Sequence, residues 1–241
     1  MTNPLAPVGS PMSLEKQAYD AIKAALLTFR LPPGDSLVET DLARQLGISK
    51  TPVRDALSRL EKEGFIEKIP YKGYRVVEIS IDAMEEIFEI RAVLEGLSAR
   101  QATINFRSED IQQAENLIAH HREALEAKNY PQAGVFNSRF HSLLLERSGN
   151  RFLKQILANL DDHLQRYRVL SNFQVGRKLK SVEEHRQVLA AIKARDAEQA
   201  EQAIREHLTS VLQDLKAQDF SELIERVQSQ PVEAPDTRLV E

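Results

Sequence analysis

Three histidines in the second half of the chain, His141, His185 and His207, are the residues best suited to metal chemistry. Asn137 precedes His141 by four residues, so the two lie on one face of a predicted helix. His185 and His207 fall in two later predicted helices, and side chains from separate antiparallel helices can converge inside a bundle. Neutral imidazoles suit Zn²⁺, Ni²⁺ and similar ions, and Asn137 would add an oxygen ligand. The same histidines also fit ordinary core or surface positions, and spacing alone leaves both interpretations open.

Arg91 and Glu95 are a second pair with chemical potential in this half of the chain. An arginine on an otherwise apolar helix face can clamp a carboxylate through two parallel hydrogen bonds. Glu95 follows Arg91 by four residues, so an ion pair within the helix is the alternative. Both interpretations stay open, and the pair is kept as a candidate contact for a small organic acid.

Histidine and positive charge are separated along the chain. All six histidines lie beyond residue 119, whereas between Arg44 and Arg75 eight basic residues stand against four acidic ones. His120, His121 and His163 lie beside charged residues, and we expect them to be solvated. The separation predicts two domains with different tasks.

A set of residues in the first third of the chain suits contact with nucleic acid. Hydroxyl, ammonium and guanidinium groups bond phosphates and guanine edges, and a glycine lets a loop approach a groove closely. The candidate DNA contacts are Ser49, Lys50, Thr51, Arg54, Arg59, Lys72 and Gly73. The alternative is that the basic side chains only solvate an exposed helix face.

Composition excludes several classes of protein. The 241 residues include no cysteine, so there are no disulfides and no thiolate sites, which fits a reducing cytoplasm. No apolar run approaches the roughly 18–20 residues of a membrane span, so we expect no membrane partner. The 42% of hydrophobic residues is enough to build two compact cores.

The residues that could contact DNA belong to a pattern of three helices and a hairpin. Helical spacing predicts helices over about 14–29 and 39–46 and a third that begins after Ser49 and ends at Gly64. Two strands, 65–69 and 74–77, flank a turn. Small Ala43, Gly47 at a tight turn and apolar Val53 have the spacing of a helix-turn-helix. We therefore predict a winged helix-turn-helix domain over residues 13–78.

The rest of the chain has a helical period almost to its end. Six helices are predicted: one that follows Ser80 and includes Leu97, and five over about 108–127, 131–147, 151–170, 181–194 and 196–216. Ser80, Asn150 and Asp196 are predicted caps, and the Ser181 to Glu184 stretch has capping-box spacing after a loop at 172–180. The residues predicted to face inward on the first of these helices are Ile81, Met84, Ile87, Phe88, Val93, Leu94 and Leu97.

The predicted fold is thus mainly α, a winged helix-turn-helix followed by an all-α antiparallel six-helix bundle. Residues 79–227 would form this bundle. Residues 1–12 and 228–241, polar or rich in proline, are predicted to be a disordered segment and a flexible tail.

Residues 13–77 resemble the GntR family of bacterial transcription regulators. The resemblance rests on LPPG at 31–34, LVE at 37–39, LA at 42–43, LGISKTPVRDAL at 46–57 and the Lys72-Gly73 wing. It implies that Lys50, Thr51 and Arg54 contact operator DNA and that Gly73 enters the minor groove. Lys50 stands where the family usually has arginine, which keeps the charge but loses the planar bidentate fork.

The second half is similar to the FCD ligand-binding domain of the FadR-type subfamily, which implies an effector-binding and dimerisation domain. The similarity rests on Glu89-Ile90-Arg91 with Leu94-Glu95, on Asn137 to His141, on Gly149-Asn150, on His185 and on the stretch from Ala203 to His207. The length of this half and its six predicted helices favour the shorter VanR-like branch. The similarity implies a divalent metal, Zn or Ni, held by Asn137, His141, His185 and His207, with a small carboxylate effector beside it. The family pattern has aspartate where this chain has Asn137. Three neutral imidazoles and an amide would leave the ion's charge uncompensated, which we expect to weaken metal binding and to favour an anionic effector.

The sequence therefore predicts a regulator without catalytic activity, a repressor rather than an activator. It would bind a palindromic operator as a homodimer and respond to a small organic acid. A metal-dependent hydrolase with an accessory DNA-binding domain is the alternative, although no H-E-x-x-H motif is present. A structural DNA binder that ignores metals and metabolites is a further one.

Overall fold

The protein was analysed as a computed structural model, which describes residues 13–172 and 178–229. The chain forms two compact units that divide between Glu78 and Ile79. The predicted disordered segment 1–12, and residues 230–241 of the predicted tail, lie outside the described residues. Within the described ranges, none of the helices has the length and apolar character needed to cross a bilayer.

The first unit is a winged helix-turn-helix, as predicted. Its elements are α1 (Leu14–Leu27), β1 (Ser36–Leu37), α2 (Glu39–Leu46), α3 (Lys50–Lys62), β2 (Ile66–Ile69) and β3 (Gly73–Val76). The antiparallel sheet has the order β1-β3-β2, with Leu37 opposite Tyr74 and Ile66 opposite Val76. Strand β1 was not predicted, because two residues are too short to show an alternating pattern.

The turn between α2 and α3 follows from its glycine. Gly47 ends α2 with φ of 68°, a left-handed conformation that a residue without Cβ adopts at little cost. The amide of Ile48 then donates to the carbonyl of Ala43 over 3.1 Å. The apolar face of α3 packs against α1, and Val53, Leu57 and Leu60 are fully buried. Their burial fixes the opposite face of α3 toward solvent.

The second unit consists of seven helices within the described residues, one more than predicted. They are α4 (Ile81–Asn105), α5 (Ser108–Glu126), α6 (Tyr130–Arg147), α7 (Arg151–Asn172), α8 (Lys178–Lys193), α9 (Ala197–Lys216) and α10 (Phe220–Ser229). The missed helix α10 begins after Asp219, whose side chain accepts from the amide of Ser221 over 2.8 Å. It is held by burial of Leu223 and Val227, so Gln228 and Ser229 are helical rather than part of a tail.

Three predicted caps are present, and a fourth is wrong. The side-chain oxygens of Ser80, Asn150 and Asp196 each accept a hydrogen bond from the backbone N–H three residues later, over 2.9, 3.1 and 3.0 Å. Ser181, in contrast, lies inside α8, which begins three residues earlier. The predicted loop 172–180 is therefore helical at its two ends, and 173–177 lie outside the described residues. Serine and glutamate three apart are ordinary helical neighbours, so the spacing did not identify a boundary.

Helix α4 is the centre of the bundle. It packs against α6, α7, α8 and α9, while α5 packs against α6 and α8, and α8 against α9. Met84, Phe88 and Ala99 form its buried apolar contacts, whereas Ile81 and Val93, both predicted to face inward, are exposed. This packing turns one face each of α6, α8 and α9 toward a shared interior.

Candidate functional site

The three predicted histidines meet in one buried cluster. His141 lies on α6, His185 on α8 and His207 on α9, and their ring centroids are 5.1, 5.3 and 4.7 Å apart in pairs. One nitrogen from each ring lies within 4.8 Å of the nitrogens of the other two. Three nitrogen donors from three helices, closed off from solvent, form a donor set that suits a borderline divalent ion.

Two carboxylates orient two of these rings. Nδ1 of His141 lies 2.5 Å from Oε2 of Glu95, and Nδ1 of His207 lies 2.7 Å from Oε2 of Glu184. A carboxylate that accepts from Nδ1–H holds the imidazole in the tautomer whose Nε2 carries the lone pair. The arrangement therefore presents Nε2 of both rings as the coordinating atom. The third ring, His185, stacks on Phe140 at 4.3 Å.

The charge balance of the cluster differs from the sequence expectation. That expectation counted Asn137 and three neutral imidazoles and left the charge of an ion uncompensated. Glu95 and Glu184 place two negative charges directly behind the imidazoles. Their contribution was missed because they act through a histidine, and the contact depends on how α4, α6, α8 and α9 pack. Arg91, which pairs with Glu95, offsets one of these charges, so the protein compensates only part of the charge of a divalent ion, and an anionic effector would balance the rest.

Arg91 and Glu95 form the ion pair within the helix that was one of the two interpretations. Nε of Arg91 donates to Oε1 of Glu95, and their side chains are only 3% and 8% exposed. Glu95 thereby bridges Arg91 and His141 in a buried chain of charge-assisted hydrogen bonds. A role of Arg91 and Glu95 in effector binding stays a prediction.

Asn137 is half-buried on α6, one turn before His141. As a residue on the same helix face it lies on the side of α6 from which His141 enters the cluster. Its role as an oxygen ligand stays a prediction.

A fourth histidine adjoins the cluster, contrary to prediction. His121 is 3% exposed, and its ring centroid lies 5.8 Å from that of His185. Burial, together with the nearby His207 and His141, lowers the pKa of His121 to about 4, so the ring stays neutral at physiological pH. Of the other two histidines expected to be solvated, His120 is exposed and His163 is half-buried. Consecutive helical residues point in directions about 100° apart, so the neighbours His120 and His121 meet different surroundings.

The predicted DNA contacts of α3 lie together at its N-terminal end. Ser49, Lys50, Thr51 and Arg54 are all exposed. Ser49 occupies the N-cap position but makes no side-chain cap bond, so its hydroxyl remains accessible. The guanidinium of Arg54 bonds the carboxylate of Glu39 on α2, at 3.0 Å from Nη2 to Oε2.

Arg59 is engaged within its own domain. Its guanidinium lies 3.8 Å above the ring of Tyr19 and its Nε donates to Glu63 over 3.0 Å. Glu63 also accepts from the Tyr19 hydroxyl over 2.6 Å and from Lys23 over 3.1 Å. Burial raises the pKa of Glu63, but these hydrogen bonds outweigh it, and the net effect is a lowered pKa. These contacts join α1 to α3, and the predicted DNA contact of Arg59 stays a prediction.

In the wing, the side chain of Lys72 is exposed to solvent, and a close approach of Gly73 to β1 requires glycine at that position. A Cβ at Gly73, where φ is 100°, would lie 2.6 Å from the carbonyl oxygen of Leu37. Glycine is therefore required for β3 to pass β1, whatever its distance from DNA. Tyr71, which was not among the predicted contacts, is a fully exposed aromatic at the wing tip with φ of 64°.

Comparison with known proteins identifies the same two units. The model of bacterial regulatory proteins of the gntR family matches residues 14–76, and the FCD domain model matches residues 86–210. An uncharacterized HTH-type transcriptional regulator, YdhC of Bacillus subtilis, is 27% identical over 83% of this chain and 90% of its own length. The HTH-type transcriptional repressor RspR of Escherichia coli is 25% identical over 89% of this chain and 91% of its own length.

A solved structure has a similar fold. That of McbR/YncC of Escherichia coli matches with a TM-score of 0.66 and 27% identity, covering 90% of this chain and 99% of the other.

Proposed function

The chain belongs to the GntR family of bacterial regulators and carries an FCD domain, and from this premise we propose that it is a repressor whose operator binding is controlled by a small carboxylate at a metal centre. It is a DNA-binding transcription regulator and not an enzyme, so the hydrolase alternative is dropped. The repressor assignment is supported by RspR, a transcriptional repressor that aligns along most of both chains. A regulator that binds operator DNA must reach the chromosome, so we expect this protein to be in the cytoplasm.

The VanR-like branch of the subfamily is proposed as well. The FCD match, over residues 86–210, falls on the six helices α4 to α9, and α10 lies beyond it.

The observation that carries the metal centre is the His141–His185–His207 cluster with its two supporting carboxylates. These three residues would hold the ion through Nε2 of His141, Nε2 of His207 and one nitrogen of His185. Asn137 is the proposed oxygen ligand, and a bound Zn²⁺ or Ni²⁺ would supply an electrophilic position for an effector carboxylate. Glu95 and Glu184 hold the Nδ1 protons of their histidines, which fixes the rings before the ion arrives.

DNA recognition is proposed for the exposed N-terminal end of α3, with the wing at an adjacent groove. Ser49, Lys50, Thr51 and Arg54 would meet base edges and phosphates in the major groove, and Lys72 and Gly73 the neighbouring backbone. The accessible hydroxyls and cations on one helix end support this arrangement.

We also propose a homodimer, since a palindromic operator requires two copies of the domain. Helix α4 offers a surface for it. Ile90, Val93 and Ile104 lie on one side of α4, opposite its buried face, and are 49%, 50% and 76% exposed. A second copy of the chain would cover this aliphatic stripe. Val93→Asp is expected to shift the protein from dimer to monomer in analytical ultracentrifugation, whereas Leu179→Asp, at an equally exposed leucine on α8, should leave it dimeric.

Metal analysis tests the metal centre. Chelator-stripped protein is titrated with Co²⁺, and its visible spectrum and the bound metal per chain are followed. We expect one ion per chain in the wild type, none in His185→Ala, and about 10- to 100-fold weaker binding in Glu184→Gln. His120→Ala, at the exposed neighbour of a buried histidine, is the control. Failure of the wild type to bind Co²⁺, Zn²⁺ or Ni²⁺ would disprove the metal centre.

Operator binding tests the regulation. A duplex enriched by the wild-type protein from random sequences serves as the probe, and its affinity is measured by fluorescence anisotropy with monocarboxylates, hydroxycarboxylates and dicarboxylates. An effector is expected to weaken binding of the metal-loaded protein by about 5- to 150-fold. The metal-stripped protein should not respond. If no carboxylate changes the affinity, the chain is a structural DNA binder or responds to another class of molecule.

A further inference from the structure

Glu39 and Arg54 form a two-pronged ion pair between the two helices of the helix-turn-helix. Nε of Arg54 lies 3.3 and 3.1 Å from the two carboxylate oxygens of Glu39, and Nη2 lies 3.0 Å from Oε2. The carboxylate therefore occupies the Nε–Nη2 edge of the guanidinium. Within the described part of the chain, Nη1 makes no hydrogen bond, so the outer end of the fork remains available to a ligand.

The pair is asymmetric in its exposure. The side chain of Glu39 is 26% exposed and that of Arg54 is 61% exposed. Glu39 is the first residue of α2, where the helix dipole favours a negative charge. The carboxylate is thus held by its own helix, and the arginine extends outward from it.

A long side chain that is free in solvent loses rotamer freedom when it binds DNA, and a fixed guanidinium has already lost much of it. The plane of the Arg54 guanidinium is set by hydrogen bonds from two of its nitrogens, Nε and Nη2, to a carboxylate on a different helix. This leaves the Nη1–Nη2 end directed away from α2, in the geometry that suits two acceptors on a guanine edge or a phosphate.

We propose that Glu39 is a positioning residue for DNA recognition, which holds the Arg54 guanidinium ready for a bidentate contact with the operator. The inference rests on the proposed contact of α3 with the major groove. Glu39 itself touches no DNA in this arrangement. Its effect on binding passes through Arg54.

Removal of the Glu39 charge should change the affinity for DNA in the direction opposite to that expected from charge repulsion alone. A carboxylate within a Debye length of DNA phosphates repels them, so its removal should tighten binding. If Glu39 positions Arg54, Glu39→Gln should instead weaken it. Asp41 is a matched control, because it also lies in the first turn of α2 and loses the same charge in Asp41→Asn but pairs with the exposed Arg44.

The test measures binding of wild type, Glu39→Gln and Asp41→Asn to a duplex enriched by the wild type from random sequences, and to an unselected duplex of equal length. Glu39→Gln is expected to lose about 5- to 30-fold in affinity for the enriched duplex and less than about twofold for the unselected one. Asp41→Asn should bind both as well as the wild type or better. Affinity of Glu39→Gln equal to or above that of the wild type, or equal losses in both variants, would overturn the proposal.

A double-mutant cycle with Arg54→Lys separates positioning from damage to the fold. Lysine keeps the charge but cannot form the fork, so Glu39→Gln should have no further effect in this background. If Glu39→Gln lowers the affinity as much in the Arg54→Lys background as in the wild type, the proposal is overturned, because Glu39 would then act without Arg54. If the wild type enriches no duplex, the proposed DNA function itself fails, and this outcome is distinct from either result above.

Discussion

Two arginine–glutamate pairs, one in each unit, contrast two uses of the same chemistry. Arg54 and Glu39 in the winged helix-turn-helix are 61% and 26% exposed, whereas Arg91 and Glu95 in the bundle are 3% and 8% exposed. An exposed pair contributes little to stability, but the Nη1–Nη2 end of its arginine stays open to a phosphate or a base while Glu39 holds the other edge. A buried pair cannot be broken without stranding a charge. The first unit thus keeps its cations available, and the second uses charge to fix a site.

The largest expected effect comes from breaking the buried pair. Glu95→Ala removes the partner of Arg91 and of Nδ1 of His141, and it should lower the free energy of unfolding of the bundle by about 3–5 kcal/mol. Hydrogen exchange of the α4 amides in the full chain, with and without urea, measures the free energy of unfolding of the bundle alone.

An exposed pair of the same type is the control for this prediction. Arg122 and Glu126 also lie four residues apart on one helix, with side chains 44% and 56% exposed. Glu126→Ala is expected to cost less than about 1 kcal/mol. If Glu95→Ala and Glu126→Ala lower the free energy of unfolding by similar amounts, burial does not determine how much such a pair contributes to stability.

A half-buried carboxylate, Glu63, is expected to have an intermediate effect that depends on pH. Its lowered pKa means that the unfolded chain binds more protons than the folded one as acid is added, so the stabilisation is present above the unfolded pKa and is lost as pH falls through the folded pKa. Glu63→Gln should destabilise the first unit by about 1 kcal/mol at neutral pH, after allowance for solvent screening. The difference from the wild type should shrink below about pH 4.

Urea unfolding of both proteins at several pH values, followed by hydrogen exchange of the α3 amides, measures the difference. A constant difference between wild type and Glu63→Gln from neutral pH to pH 3 would exclude the ionised form of Glu63 as the source of the stabilisation.

The smallest effect is expected at the wing. Arg75 and Glu67 pair across β2 and β3 with side chains 50% and 48% exposed. Glu67→Gln should change the free energy of unfolding by less than about 0.5 kcal/mol. A loss above 1 kcal/mol in thermal or urea unfolding would show that exposed pairs in this unit have a structural role, which would contradict the contrast drawn with the bundle.

Much of the first unit follows from local sequence. Gly47 ends α2, the apolar spacing of Val53, Leu57 and Leu60 sets the buried face of α3, and both properties depend only on residues close in the chain. The exposure of Ser49, Lys50, Thr51 and Arg54 follows from the same spacing. Strand β1 and the contact of Gly73 with Leu37 do not, because they join residues more than thirty positions apart.

The sequence alone is enough to select the candidate residues, namely the exposed hydroxyls and cations at the N-terminal end of α3 and the three histidines on three helices. Their surroundings come from the tertiary structure. It placed Glu95 and Glu184 behind two imidazoles, brought His121 into the interior, and bound Arg54 to Glu39. Helical spacing specifies the direction of a side chain from its own helix, but the partner it meets depends on how separate helices pack, which no local pattern encodes.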